Sequence, residues 1–269
     1  MSGVSYVGNF MDIDMLVDRG WPDYEFPYIG MLDNAMVKNY RAFLKDRQEN
    51  HKLPITQFDV GTDVQFVLKK DPEAYPTFRI SNIYSNGTIW NRETNTTSFM
   101  YPSNASKDAL SNENLPSTVV NVVYGKFGYH CGGDILNNWG IETAVAQEIG
   151  QTDVYSCDHH ANGTMAPAAI AATTPQVFII PVWDYYHPQP EPLSNMLDTD
   201  IYKDDRLVFA AGMVESNRVR LLDDGQQIKP DGHVVVRVYE GGDEFQVYVL
   251  NDRNNKYDVI YKTDRLSSK

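Results

Sequence analysis

The residues best suited to chemistry stand in two short clusters, His130-Cys131 and Cys157-Asp158-His159-His160. Thiolate and imidazole are what zinc prefers in a tetrahedral shell, so Cys131, Cys157, His159 and His160 form a candidate zinc set. Its spacing is unusual. Zinc ligand pairs are normally two to four residues apart, and adjacent side chains on a strand point to opposite faces. Only a loop, which Gly132-Gly133 would permit, brings His130 and Cys131 to one ion. Two other readings compete for these cysteines, the only two in the chain. As free buried thiols they pack like small hydrophobes; joined, they close a loop worth about 3.5 kcal/mol in chain entropy. Free thiols rank first, the disulfide second and the metal third. A Cys–His nucleophile would need a third, orienting residue, and the sequence names none.

Oxygen ligands for calcium crowd together at Asp198, Asp200 and Asp204, as a hard cation requires. That stretch lacks the sharp-turn Gly and terminal Glu of an EF-hand loop, and Asp is common in turns for backbone reasons alone. No cofactor is expected, zinc and calcium being the two that the residues would admit. The patterns G-x-S-x-G, P-loop, H-E-x-x-H and strand-borne G-x-G-x-x-G are all missing. The run Trp183-Asp184-Tyr185-Tyr186-His187 reads more readily as aromatic capping of a strand end than as a sugar platform.

The elements that must position these residues are mostly strands. His233–Tyr239, Glu244–Leu250 and Tyr257–Thr263 alternate β-branched and aromatic residues around Gly- and Asn-bearing gaps, which predicts a C-terminal three-stranded antiparallel meander. Further strands are predicted at Val64–Lys69, Thr77–Tyr84, the Gly87–Trp90 region, Thr118–Tyr124, Gln176–Trp183, Arg206–Val214 and Asn217–Leu222. Helical spacing predicts two helices, Met31–Glu49 and Asn138–Ile149. His187–Pro192 is read as extended because of its prolines. The expected fold class is mainly β with two helices (α+β), an antiparallel sandwich- or barrel-like core. Residues 1–30 read as an arm and 31–269 as one β-rich domain. A polar excursion covers about 102–116, with a split near 116 as the alternative.

Charge limits the partners. The chain carries 36 acidic and 23 basic residues, a net charge of −13, which repels nucleic acid and anionic membrane. No stretch reaches the roughly 18 apolar residues of a membrane span, and the N-terminus does not read as a signal peptide. The arm, the polar loops and the Tyr-rich, motif-poor composition look like a virion structural protein of a tailed bacteriophage: a neck, head–tail connector, tail terminator or baseplate component. The likeness is one of general style. It implies a non-enzymatic homo-oligomeric ring or shell, made in a host cytoplasm and built into a virion with other structural proteins. Phe10, Met11, Ile13, Leu16, Trp21, Tyr24 and Phe26 are the expected interface. An extracellular β-sandwich that binds carbohydrate or adheres to surfaces is the alternative, and a metal-dependent hydrolase around the Cys/His clusters is the third reading.

Overall fold

The computed structural model describes residues 2–24, 34–182 and 184–269. Fourteen strands occur among them: β1 (Leu16–Asp18), β2 (Ile55–Gln57), β3 (Arg79–Ser85), β4 (Thr88–Asn91), β5 (Thr96–Phe99), β6 (Val119–Tyr124), β7 (Phe127–Cys131), β8 (Val154–Ser156), β9 (Val177–Pro181), β10 (Leu207–Ala211), β11 (His233–Val238), β12 (Glu244–Leu250), β13 (Val259–Lys262) and β14 (Leu266–Ser267). The eight α-helices are α1 (Ser2–Gly8), α2 (Ala35–His51), α3 (Lys107–Leu110), α4 (Ile141–Ile149), α5 (Pro167–Thr173), α6 (Pro190–Leu197), α7 (Glu215–Arg220) and α8 (Leu222–Gln227). The fold is therefore mixed α+β rather than mainly β, with helices well beyond the two expected.

An eight-stranded sheet runs in the order β10-β9-β8-β7-β6-β3-β4-β5. From β7 to β10 every pairing is parallel; from β7 to β5 every pairing is antiparallel. Parallel neighbours need a crossover of a dozen or more residues. Here α4, α5 and α6 supply those crossovers between β7, β8, β9 and β10. The second sheet is the meander β11-β12-β13, with β14 also on β12.

Alternation along the parallel strands divides the core. Val154, Val177 and Phe209 face the meander's Phe245, Val247 and Val249. Their neighbours Tyr155, Phe178, Ile180, Val208 and Ala210 face Ile170 of α5 and Leu193 and Met196 of α6. With both faces covered, strand interiors become nearly continuous apolar runs, as in Val177-Phe178-Ile179-Ile180. Farther along, Ile141, Val145 and Ile149 of α4 pack on Ile83, Tyr84 and Val119 of β3 and β6.

Several local expectations are overturned. Residues 64–69 contain no strand, and Asn217–Leu222 lies in α7 and α8. Pro190 does not keep 187–192 extended. It begins α6, where a missing N–H costs nothing because first-turn donors lack intrahelical partners anyway. Pro167 does the same for α5. The Asn86-Gly87 hairpin forms as expected between β3 and β4, both residues having positive φ.

Candidate active site

All four parallel strands end on the same edge of the sheet, and three of the loops that follow carry ionisable side chains. Beyond β7 comes Gly132-Gly133-Asp134, beyond β8 Cys157-Asp158-His159-His160, and after β9 the segment that includes Asp184 and His187. The carboxyl edge of parallel strands is where α/β sheets place ligand sites, since the loops there vary without disturbing the core.

Three of these residues meet. His160 Nε2 lies 3.0 Å from Asp134 Oδ1, and the His160 Nδ1–H donates to the Pro181 carbonyl at 2.5 Å. An imidazole between a carbonyl and a carboxylate faces acceptors on both nitrogens. It must be an imidazolium there, or share its Nε2 lone pair and the carboxylate with a cation. Consistently, the hydrogen bond to Asp134 raises His160, and its counterpart holds Asp134 below the usual carboxylate range. The buried His187 ring stacks on His160 with centroids 5.2 Å apart and planes 9° from parallel. Its Nδ1 accepts the Asp184 N–H at 3.1 Å, so Nε2 carries the hydrogen in the neutral ring, and this Nε2 has no partner among the described residues. Burial foremost, then the nearby His160 and His159, lowers the pKa of His187.

The loop bearing His160 is strained. His159, His160 and Ala161 all have positive φ, at 46°, 59° and 56°, a left-handed conformation that costs about 1–2 kcal/mol per non-glycine residue. Surrounding contacts hold it. The His159 ring is fixed at both nitrogens, donating from Nδ1 to Asn162 O (2.7 Å) and accepting at Nε2 from the Asn114 amide (3.1 Å). Behind it, buried Asp158 meets His130 Nε2 at 2.9 Å and the Tyr155 hydroxyl at 2.6 Å. A Cβ on Gly132 would stand 2.0 Å from Asp158 Oδ1, so only glycine lets β7 end against this carboxylate.

The zinc quartet is not assembled. Cys157 is buried against Met196, Sγ 3.5 Å from Sδ, and both cysteines are free thiols. Burial pushes both thiols up. His159 is occupied by Asn114 and Asn162, leaving His160 as the member that reaches another ligating side chain, Asp134. Among the described residues, no three His, Cys, Asp or Glu side chains are grouped to hold a metal ion by themselves. The calcium set is dispersed as well: Asp198 accepts the Asp200 N–H in a local turn, Asp200 pairs with Lys203 and Asp204 with Lys269.

Of the arm, Phe10 and Met11 are exposed, Ile13, Leu16 and Trp21 half-buried and Tyr24 buried; Phe26 lies outside the described residues. Leu16 belongs to β1, which pairs in parallel with β2. Asp18 accepts the Tyr40 hydroxyl of α2 at 2.7 Å. Residues 16–24 thus fold onto their own chain. The excursion at 102–116 contains α3 and reaches the site through Asn114. Its Glu113 is gripped by Arg19 in a bond pair of 2.7 and 2.8 Å. Asp134 and Asn114 escaped sequence reasoning, and His187 entered it only within the aromatic run 183–187; the signal that could have found Asp134 is a Gly-Gly-Asp just past an apolar strand.

No protein-family model matches this chain, and no curated protein is similar enough to count as a relative.

Proposed function

We propose that this chain forms the active centre of a metal-assisted hydrolase, at the strand ends that carry Asp134, His160 and His187. One observation carries the reading: three successive parallel strands deliver these residues to one spot, where an imidazole nitrogen and a carboxylate oxygen 3.0 Å apart face each other. Bond lengths near 2.0–2.2 Å to a divalent ion separate neighbouring ligands by about 3 Å, so the pair fits two positions of one shell. Water and substrate would complete it, as is usual for ions held by few protein groups. Such an ion polarises a carbonyl or phosphoryl oxygen and makes its bound water a nucleophile at neutral pH. The chain's own residues do the rest. Pro181 O fixes the His160 tautomer, leaving Nε2 to ligate, and the buried His187 ring stacked on His160 holds that imidazole in place.

The test is equilibrium dialysis of metal-free protein against Zn²⁺ or Mn²⁺, with hydrolysis of bis(p-nitrophenyl) phosphate and p-nitrophenyl acetate followed in parallel. Uptake and ion-dependent turnover that disappear together in His160→Ala are expected. A folded wild type that binds neither ion and cleaves neither ester overturns the reading.

A second reading, the homo-oligomeric virion component, is favoured by one observation: Tyr6, Phe10 and Met11 are 69%, 74% and 65% exposed on one short stretch. Light scattering decides it. A ring of subunits that dissolves on deleting residues 1–15 supports assembly, and a monomer at high concentration sinks it.

A further inference from the structure

The 158–166 loop, which carries the strained turn at His159–Ala161, is tied at its far end, where α5 begins, by a buried carboxylate from α4. Glu142 stands in the first turn of α4 and is wholly buried. Its Oε1 accepts the Met165 N–H at 2.6 Å and its Oε2 the Ala166 N–H at 3.2 Å. No lysine or arginine forms an ion pair with it among the described residues. A buried carboxylate without a cation is costly, and a second one, Asp158, lies within electrostatic reach. Backbone groups at 165 and 166 would be satisfied as well by water if this segment lay at the surface. The arrangement instead ties both ends of the 158–166 loop to buried carboxylates, Asp158 at its start and Glu142 at its end, with Met165 itself at φ 59°.

We infer that Glu142 is a positioning residue, which acts through the 158–166 loop to hold His160 against Asp134. The inference rests on the hydrolase reading for its purpose, though not for its geometry. Outer groups that orient a ligating histidine typically change metal affinity by about 10–100-fold when removed. Glu142 does this at one remove, through the backbone rather than the ring.

The experiment uses the full chain and three variants, Glu142→Ala, Glu142→Gln and Glu142→Asp, with Zn²⁺ alone as the probe. Zn²⁺ affinity is measured by titration calorimetry, and amide hydrogen exchange is followed at residues 159–166 against β8 and β9 as internal references. Glu142→Ala should bind Zn²⁺ about tenfold or more weakly. Its 159–166 amides should exchange at least about tenfold faster while the reference strands stay protected. Glu142→Gln keeps an acceptor for the Met165 N–H and should recover most of both. If Glu142→Ala fails to fold, Glu142→Asp, which retracts the carboxylate by one methylene, replaces it with the same expectation. A folded variant lacking the acceptor whose loop protection and Zn²⁺ affinity stay within twofold of wild type overturns the inference. Should wild type bind no Zn²⁺, the hydrolase reading is what suffers; loop protection alone then decides the role of Glu142.

Discussion

Replacing Glu142 by Gln should make the protein less sensitive to alkali, and the size of the effect follows from where the carboxylate sits. Burial, then the charge on Asp158, raises its pKa from the ordinary 4.5 to about 8, while the two backbone N–H donors oppose the rise. The folded state therefore holds this proton more tightly than the unfolded chain does. Stability from that preference is fully present below about pH 4.5 and is lost as pH climbs through about 8. Within the window each pH unit is worth about 1.4 kcal/mol, so between pH 5 and pH 8 wild type should lose on the order of 4 kcal/mol relative to Gln. Gln resembles the protonated acid in shape and acceptor, so the two proteins should nearly coincide at pH 5. Comparing them cancels the titrating groups that do not interact with Glu142, which leaves Asp158 as the one named neighbour whose titration enters the difference. The assay is urea unfolding at pH 5, 6.5 and 8, where the gap in midpoint should open to about 1 M or more. Midpoints that move in parallel across all three values would refute the claim that Glu142 is buried and protonated at its post.

Other expectations concern the supports of the site. Arg19→Ala strands the mostly buried Glu113 carboxylate, and chemical denaturation should register a loss of about 2–3 kcal/mol. Adding Glu113→Ala should restore part of it. Gly132→Ala forces a Cβ into Asp158 and His130 and should cost about 3 kcal/mol, read from the same unfolding curves. Asn114→Ala removes the amide from His159 Nε2, and ¹⁵N spectra of the imidazoles should show the His159 signal moving while His130 stays in place. Thiol reagents should leave Cys157 untouched in the native protein and titrate two cysteines only in denaturant, because burial disfavours its thiolate.

What the sequence revealed, and what it hid, follows from how each element is stabilised. The meander was legible because β12 alternates buried with half-buried residues and β11 half-buried with exposed ones along their length. The amphipathic stripe of α2 and the Gly150 stop of α4 were legible for the same local reason. The parallel half was legible only in part: β9 and β10 fall within the strands predicted at Gln176–Trp183 and Arg206–Val214, whereas β7 and β8 have no predicted counterpart. Its strands are buried on both faces and so show no polar–apolar alternation, and α5 and α6 are short, begin with proline and draw their stability from packing rather than from periodicity. Missing those crossovers meant assuming antiparallel neighbours, which scatters the strand ends. Asp134, His160 and His187 come together only when β7, β8 and β9 point the same way. The adjacent histidines stand out in the sequence, but the side chain that meets His160 is Asp134, beyond the end of β7, and not Cys131, which lies within that strand.

The far edge of the large sheet has a different character. There the turn between β6 and β7 touches the one between β11 and β12 so closely that a Cβ on Gly125 would sit 1.8 Å from Gly241 O, and one on Gly242 1.8 Å from Tyr124 O. Five residues of β7, about 17 Å of extended chain, separate that seam from the loop holding Asp134. A dye, a tether to a solid support or a fused reporter attached beside the seam, at Lys126 for instance, is thus a strand's length from His160. Labelling chemistry directed there can report on the molecule without disturbing the loops that carry Asp134, His160 and His187.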